Sequence, residues 1–300
     1  MSLLLDYNTR VVLLGTLLLG ATAGLVGTFL VLRRRALVGD VVGHATLPGI
    51  AIAFLAAEVI LPGSGKNTAT LLTGAALTGL LGAAVVALLA RIRRVGADAA
   101  QAIVLGLFFG VGASLFRAVQ QVPAGDAAGL NGYLYGKVAS MIASDVWFFA
   151  IAAAAVFLIV LALHKELVLV CFDSEFAAAI GLPVGMLDLL LTGLAVAVTV
   201  LGLQSVGLVL VVATLTIPPA AARFWTDRAG VMTALSASIG GAAAIAGVIV
   251  SALVPKIATG ATIVLAGGLL FAISLLFGPK GGLLSRRDSR LAGGAAGGAL

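Results

Sequence analysis

Apolar stretches about as long as a bilayer is thick recur along the whole chain, and this recurrence limits the possible folds more than any other feature. A helix needs roughly 20 mostly apolar residues to cross the hydrocarbon core. Of the 300 residues, 61% are hydrophobic and 10% charged. The sequence therefore predicts an all-α polytopic membrane protein with about nine transmembrane helices, at 11–32, 41–61, 69–90, 98–119, 144–163, 184–203, 205–222, 229–252 and 258–278.

Two regions leave this count open. Only a thin turn at 202–207 separates two of the apolar stretches, so eight spans are the main alternative. The stretch 121–143 is too polar to span, and its Gly, Pro and Asn residues predict a loop that carries a short helix. We assign residues 1–284 to the transmembrane domain and predict that 285–300, basic and then rich in Gly and Ala, form a disordered cytoplasmic tail.

Basic residues cluster at the ends of the apolar stretches, a pattern typical of topology signals and not of a nucleic-acid surface. Nine spans place the termini on opposite faces. We predict the N-terminus outside and the C-terminus in the cytoplasm, because 13 of the 18 Lys and Arg residues are then cytoplasmic: Arg33, Arg34, Arg35, Arg91, Arg93, Arg94, Lys165, Arg223, Arg228, Lys280, Arg286, Arg287 and Arg290.

The sequence offers no nucleotide site and no thiolate cluster. The stretch PGSGKNT at 62–68 is only superficially like a phosphate-binding loop, because Ile60 stands where the first Gly is needed and Asn67 where Ser or Thr is needed. Cys171 is the only cysteine, which excludes an intrachain disulfide. We therefore do not expect an enzyme.

A charged pair lies at the start of the second span, in the stretch LVGDVVGHATLPG at 37–49. Asp40 and His44 are four residues apart, so on a helix a carboxylate and an imidazole would share one face and could reach one divalent cation. Alternatively, Asp40 caps the helix and His44 is an interior histidine. Spacing alone leaves both interpretations open, although ionisable residues inside spans usually face a transport pathway.

The second informative stretch, FDSEFAAAIGLPVGMLD at 172–188, interrupts the apolar pattern. Asp173 and Glu175 indicate a helix start, with an N-cap and an acidic residue in the first turn. Gly181 would end this helix, and Pro183 would open the next segment. By shape alone this is a short amphipathic connector at the membrane face.

Together these stretches resemble the permease subunit of ABC importers for manganese, zinc and iron. LVGDVVGHATLPGIAIAFL is similar to the second-span motif of that family, and FDSEFAAAIGLPV to its cytoplasmic coupling segment. GLQSVGLVLVVATLTIPPAAAR is similar to a late-span signature, and QQVPAGDAAGLNGYLYGKVASMIASDV to the outer loop of manganese- and iron-leaning members. The resemblance covers about residues 10–280.

The resemblance implies a fold like that of the cobalamin-type ABC importers, in the inner membrane of a bacterium. A second permease, identical or a sister chain, would complete the pore; a cytoplasmic ATPase would dock on it, and an extracytoplasmic binding protein would deliver the ion. Asp40 and His44 match the family's ion ligands, and the coupling segment at 172–183 would act through Asp173, Glu175, Ala177 and Gly181. The metal would be cargo, with no permanently bound cofactor. Two positions depart from the family's pattern. Gly43 stands where the family usually has Ser, and the pair Pro218 and Pro219 stands where the family has a single proline.

Two other functions compete with this one. A proton-coupled secondary transporter or channel could use Asp40 and His44, and a permease of the same fold could carry a metal chelate such as a siderophore. The coupling-like segment and the lack of a nucleotide site favour the ABC permease over the first. The Asp–His pair favours transport of a bare ion over transport of a metal chelate. The sequence leaves open which metal is carried.

Overall fold

The computed structural model describes residues 6–60, 65, 67–92, 94–121, 136, 138, 141–254 and 257–284. Within this part the chain forms a bundle of eleven α-helices. The predicted tail and the larger part of the predicted 121–143 loop lie outside the described residues. The helices are α1 (Tyr7–Leu32), α2 (Val38–Ile60), α3 (Thr68–Leu89), α4 (Ala97–Gln120), α5 (Ala143–Ala162), α6 (His164–Phe172), α7 (Ser174–Ala179), α8 (Val184–Ser205), α9 (Leu208–Ala222), α10 (Ala229–Leu253) and α11 (Thr259–Phe277).

Eight of these helices are long and apolar enough to cross a membrane, which confirms the predicted polytopic architecture. The ninth apolar stretch forms α9, whose 15 residues span about 22 Å and so fall short of a hydrocarbon core of about 30 Å. Gly207, with φ 80°, separates α9 from α8. The chain turns sharply here, as the contact between Val211 of α9 and Gly202 of α8 shows. The thin turn in the sequence therefore marks the start of a shortened helix.

Helix α1 is the centre of the bundle. In its most apolar stretch 67% of the residues are buried, more than in any other described span. Gly20 and Gly24 let α1 approach α10 closely, and the Ser236 hydroxyl donates a 2.6 Å hydrogen bond to the Gly24 carbonyl. Gly106 and Gly110 show the same spacing on α4 but contact no other described helix, since a Cβ at either would meet nothing within 4 Å.

The contacts of α1 show which helix ends lie together. Arg33 follows the last residue of α1 and contacts Asp188 in the first turns of α8. The ring of Phe29 packs edge-on against His164 at the start of α6, and Gly230 of α10 is next to His164. We call this face of the bundle the Arg33 end. The described chain therefore starts, at α1, on the face opposite the Arg33 end.

Many large apolar side chains are exposed on the outer helices α3, α4 and α5, including Leu81, Phe109 and Phe157. A soluble monomer rarely exposes apolar surface on this scale. Lipid tails are as apolar as these side chains, so exposure to a bilayer costs nothing. The surface thus agrees with the membrane location that the apolar helices indicate.

Candidate metal site and docking segment

Helix α2 brings Asp40 and His44 together, as their spacing predicts. The Asp40 Oδ1 and His44 Nε2 atoms are 3.3 Å apart. This is longer than the usual N–H···O hydrogen bond of about 2.9 Å. It is close to the separation of about 3.4 Å expected between two ligand atoms that bind one tetrahedral ion at about 2.1 Å each. The pair can therefore present two ligand atoms to one cation without a backbone change.

Asp40 is not the N-cap of α2. The helix begins at Val38, so Asp40 is its third residue and His44 its seventh. A carboxylate in the first turn still stabilises the positive end of the helix dipole. At 1.5 Å per residue, His44 lies only about 9 Å along α2 from its first residue. Its contacts nevertheless place the pair level with the middle of neighbouring spans. The imidazole packs against Phe109, near the midpoint of α4, and Val42 and Thr46 lie beside Gly79, near the midpoint of α3.

The surroundings hold the imidazole in place and leave the pair accessible. The ring of His44 packs edge-on against Phe109 of α4, with centroids 5.1 Å apart. Its Nδ1 atom is buried and has no hydrogen-bond partner among the described residues. The side chains of Asp40 and His44 are 34% and 22% exposed, respectively. A ligand approaching from outside the described helices can thus reach both.

Pro48 adds a polar group to this region. It lies within α2 and is buried against Gly112 of α4. A proline has no N–H to donate to the carbonyl four residues earlier, which here belongs to His44. That carbonyl oxygen thus lacks its normal helical donor. The helix nevertheless continues through Pro48 and Gly49, and Gly49 allows α3 to approach closely at Gly74.

The structure gives a physical reason for glycine at position 43. A Cβ there would collide with the side chain of Leu208, the first residue of α9. Leu208 is buried, and its side chain takes the space that a serine hydroxyl would need. Position 43 offers no side-chain ligand, because glycine has no side chain, and Leu208 of α9 fills the adjoining space.

Two ligands do not complete a transition-metal site. Structural and catalytic zinc sites use three or four protein ligands, and harder ions take up to six. The described part of the chain contains no group of three or more His, Cys, Asp and Glu residues able to hold a metal. Further ligands for an ion at this pair would come from residues outside the described ranges, from another chain, from backbone carbonyls or from water.

The segment that resembles the family's coupling segment folds as its sequence predicts. The Asp173 carboxylate caps α7 by accepting a 2.8 Å hydrogen bond from the Phe176 N–H. The helix ends at Ala179, and Gly181 adopts φ 89°, a left-handed conformation that favours glycine. Pro183 immediately precedes α8. Local signals thus fixed both ends of this helix.

Ala177 and its neighbours face in opposite directions. Ala177 is fully buried and packs in a small cluster with Val170 and Leu187. Phe172, Phe176 and Ile180, four residues apart in sequence, are each more than half exposed, and Asp173 interrupts the helix between Phe172 and Phe176. Sequence reasoning missed this apolar row, although the spacing itself was visible. These three side chains are available for contact with a partner, whereas Ala177 is buried against the bundle.

His164, the second histidine, is surrounded mainly by apolar side chains. Besides its contact with Phe29, it lines an apolar groove of about 430 Å³ between α1, α5 and α10. No second metal-binding side chain accompanies it in the described groove. The structure therefore separates the two histidines, and only His44 has a carboxylate beside it.

Comparison with known proteins places the chain in a family. The sequence model of the ABC 3 transport family matches residues 6–278. The zinc transport system membrane protein TroC of Treponema pallidum is 44% identical over 284 residues, covering 95% of this chain and 93% of the relative. The manganese transport system membrane protein MntC of Bacillus subtilis is 40% identical, covering 93% of this chain and 63% of the relative.

A solved structure shares the architecture. PsaBC from Streptococcus pneumoniae, determined in complex with Fab, aligns with a TM-score of 0.78 at 29% identity, covering 94% of this chain and 96% of that chain. The fold and the apolar helices thus define a multi-pass membrane protein built like an ABC permease. The chain belongs to the ABC 3 transport family.

Proposed function

We propose that this chain is the membrane-spanning permease subunit of an ATP-driven importer of a divalent transition-metal ion, Mn²⁺, Zn²⁺ or Fe²⁺. The observation that carries the proposal is the Asp40–His44 pair, with two ligand atoms 3.3 Å apart and still accessible. The family match and the zinc and manganese systems named for its relatives support it. Family membership also counts against a proton-coupled secondary transporter.

Asp40 and His44, which we call the metal pair, are half of a site that a second permease completes. Each chain supplies one carboxylate and one imidazole, so two chains related by a twofold axis would supply four ligands, a number suited to a transition metal. Two chains could be identical copies or sister permeases. The ion is cargo, and a transient site with few ligands per chain allows release as well as binding.

The Arg33 end is the cytoplasmic face in this proposal. It carries the basic connection 33–35, and basic residues favour the cytoplasmic side. The N-terminus is then outside, where an extracytoplasmic binding protein would deliver the ion. The docking segment, α7 with its flanking residues 172–183, faces a cytoplasmic ATPase at the same end. ATP hydrolysis belongs to that separate subunit.

Reconstitution of the whole system tests the function. The permease, its ATPase and its binding protein are placed in proteoliposomes, and uptake of each metal is measured with ATP on the ATPase side. We expect uptake that requires both ATP and the binding protein. Competition between Mn²⁺, Zn²⁺ and Fe²⁺ in the same assay identifies the preferred ion.

Two controls separate this function from its competitors. Uptake of bare ions by the permease alone, driven by an imposed proton gradient, would identify a secondary transporter and overturn the proposal. Uptake of a ferric siderophore in preference to any bare ion would identify a metal-chelate permease. The ATPase carrying a hydrolysis-blocking substitution controls for leakage, because the complex then assembles without turning over.

A further inference from the structure

Arg33 and Asp188 form the most extensive side-chain ion pair in the described chain. The Arg33 Nη2 donates to both carboxylate oxygens of Asp188, at 2.7 and 2.6 Å, and its Nε donates to Oδ1 at 3.0 Å. Arg33 Nη1 donates to the Val170 carbonyl at 2.8 Å. The two side chains are only 14% and 20% exposed. A forked, part-buried pair of this kind has more directional hydrogen bonds than an ordinary surface salt bridge.

This pair brackets the docking segment. Val170 precedes the segment by two residues and Asp188 follows it by five, and a single guanidinium contacts both. The docking segment is thus a loop whose two ends are tied to one point on α1. A displacement of α7 that carries the flanking ends of α6 and α8 with it would move Arg33 or break its hydrogen bonds.

Arg33 is also the first residue of the connection into α2. Arg35, two residues on, approaches the same Asp188 carboxylate at 3.3 Å. Between them Arg34 adopts φ 56°, an uncommon conformation for a residue other than glycine. The Arg34 and Arg35 N–H groups bond back to the Val31 and Leu30 carbonyls, at 3.0 and 2.8 Å, which fixes the turn. Asp40 follows five residues after Arg35, so the connection is a short, tightly bonded route from the ion pair to the metal pair.

We propose that Arg33 and Asp188 are positioning residues that transmit movement of the docking segment to the start of α2, and so to Asp40 and His44. The inference rests on the proposed function, since it assigns a route by which an ATPase would act on the metal site. The ATPase contacts the exposed row on the docking segment. The ion pair carries the resulting displacement to the α1–α2 connection, which holds the metal pair.

The first test removes one partner of the pair. Asp188→Asn in the full complex is expected to leave the ATPase bound and basal hydrolysis near wild type. Metal transported per ATP, and the stimulation of hydrolysis by the loaded binding protein, should fall about 5- to 150-fold, the usual range for coupling between two sites. Asp227→Asn is the matched control, because Asp227 pairs with Lys280 at 2.7 Å but both are exposed. This control should transport like wild type.

A milder variant covers the case in which Asp188→Asn does not assemble. Arg33→Lys keeps the charge but loses the fork that reaches Asp188 and Val170 together. We expect it to assemble and to show reduced transport per ATP. Wild-type coupling in Arg33→Lys would overturn the proposal, as would wild-type coupling in Asp188→Asn. A wild-type complex without ATP-dependent uptake would instead refute the proposed function itself.

The sole cysteine reports on the pair directly. The Cys171 Sγ lies 3.8 Å from the Phe29 carbonyl in the last turns of α1, beside Arg33 and Asp188. Maleimide labelling of Cys171 in the wild-type complex should accelerate during ATP turnover, when the docking segment moves. In Asp188→Asn the rate should no longer depend on turnover. A wild-type rate that is the same with and without ATP would contradict movement at this point.

Discussion

Asp40 and His44 present a carboxylate oxygen and an imidazole nitrogen 3.3 Å apart on one face of α2. Their common face follows from the helical repeat, and Phe109 packs edge-on against the imidazole. The pair can therefore offer two ligand atoms to one ion, and either atom can be removed by a single substitution.

Asp40→Asn and His44→Gln should each reduce metal uptake at saturating ATP. Loss of a residue that hydrogen-bonds to a metal ligand lowers metal affinity or activity about 10- to 100-fold. Loss of a direct ligand should therefore lower uptake at least as much. Uptake by the reconstituted complex measures the effect. Asp98→Asn is the matched control, because Asp98 also lies in the first turn of its helix, α4, but has Ala102 four residues later. Normal uptake in both variants would refute the ligand assignment.

Phe176→Ala should weaken attachment of the ATPase without unfolding the permease. The Phe176 ring is 53% exposed on the docking segment, so its removal leaves no internal cavity. Co-purification of the ATPase with the permease is the measurement. Phe148→Ala removes a ring that is 63% exposed on α5, in a predicted span, and serves as the control. Equal retention of ATPase by both variants would show that the exposed row is not the docking surface.

Gly181→Ala should destabilise the docking segment through its backbone. Gly181 has φ 89°, and a Cβ there would meet no atom within 4 Å, so the cost is conformational and not steric. An L-residue in a left-handed conformation costs about 1–2 kcal/mol. Hydrogen exchange of α7 should speed up accordingly. Gly185→Ala is the control, because Gly185 is helical and equally uncrowded. Unchanged exchange in Gly181→Ala would contradict the conformational argument.

Gly20→Ala should destabilise the whole bundle. Its Cβ would lie 2.6 Å from the Gly240 carbonyl oxygen, and backbone cannot move aside as a side chain can. Overpacking of this kind costs about 1–3 kcal/mol. Gly106→Ala should be neutral or stabilising, since Gly106 meets no neighbour and alanine is favoured in helices by up to about 1 kcal/mol. Thermal unfolding in detergent compares the two, and equal melting temperatures would contradict the close α1–α10 contact.

Cys171 should react slowly with alkylating agents and should do so in a pH-dependent way. Burial raises the pKa of the Cys171 thiol from 9.0 to about 11, and Asp188 adds to this while Arg33 and Arg35 oppose it. Because the thiolate is the nucleophile, the alkylation rate at pH 8 should be about 100-fold below that of the denatured chain. The rate should climb until about pH 11, whereas that of the denatured chain should level off near pH 9.

The same pKa difference predicts the sign of a stability change. Between pH 9 and 11 the folded chain keeps the Cys171 proton that the unfolded chain loses, so stability falls as pH rises. Cys171→Ser removes the titrating group and should flatten this part of the stability curve. A folded-state alkylation rate that levels off near pH 9 would contradict the burial.

Some features were local enough to predict. Apolar composition located each of the eight long helices in the part of the chain that the structure describes, because a bilayer span depends on its own residues. The Asp173 cap, the Gly181 turn and the shared face of Asp40 and His44 depend on neighbours within one or two turns. The burial of Ala177 is harder to predict from sequence, because Val170 and Leu187, which bury it, belong to two other helices.

The sequence by itself determined that this chain is a bundle of apolar helices with one carboxylate–imidazole pair and one short capped helix between two longer ones. Only the tertiary structure decided what those parts touch. Arg33 meets Asp188 across 155 positions of sequence, and Ser236 meets Gly24 across 212. Such pairs depend on how helices pack, and in lipid that packing depends on shape complementarity between distant segments. Helical periodicity carries no information about distant partners, so the contacts of Arg33 with Val170 and Asp188 emerge only from the fold.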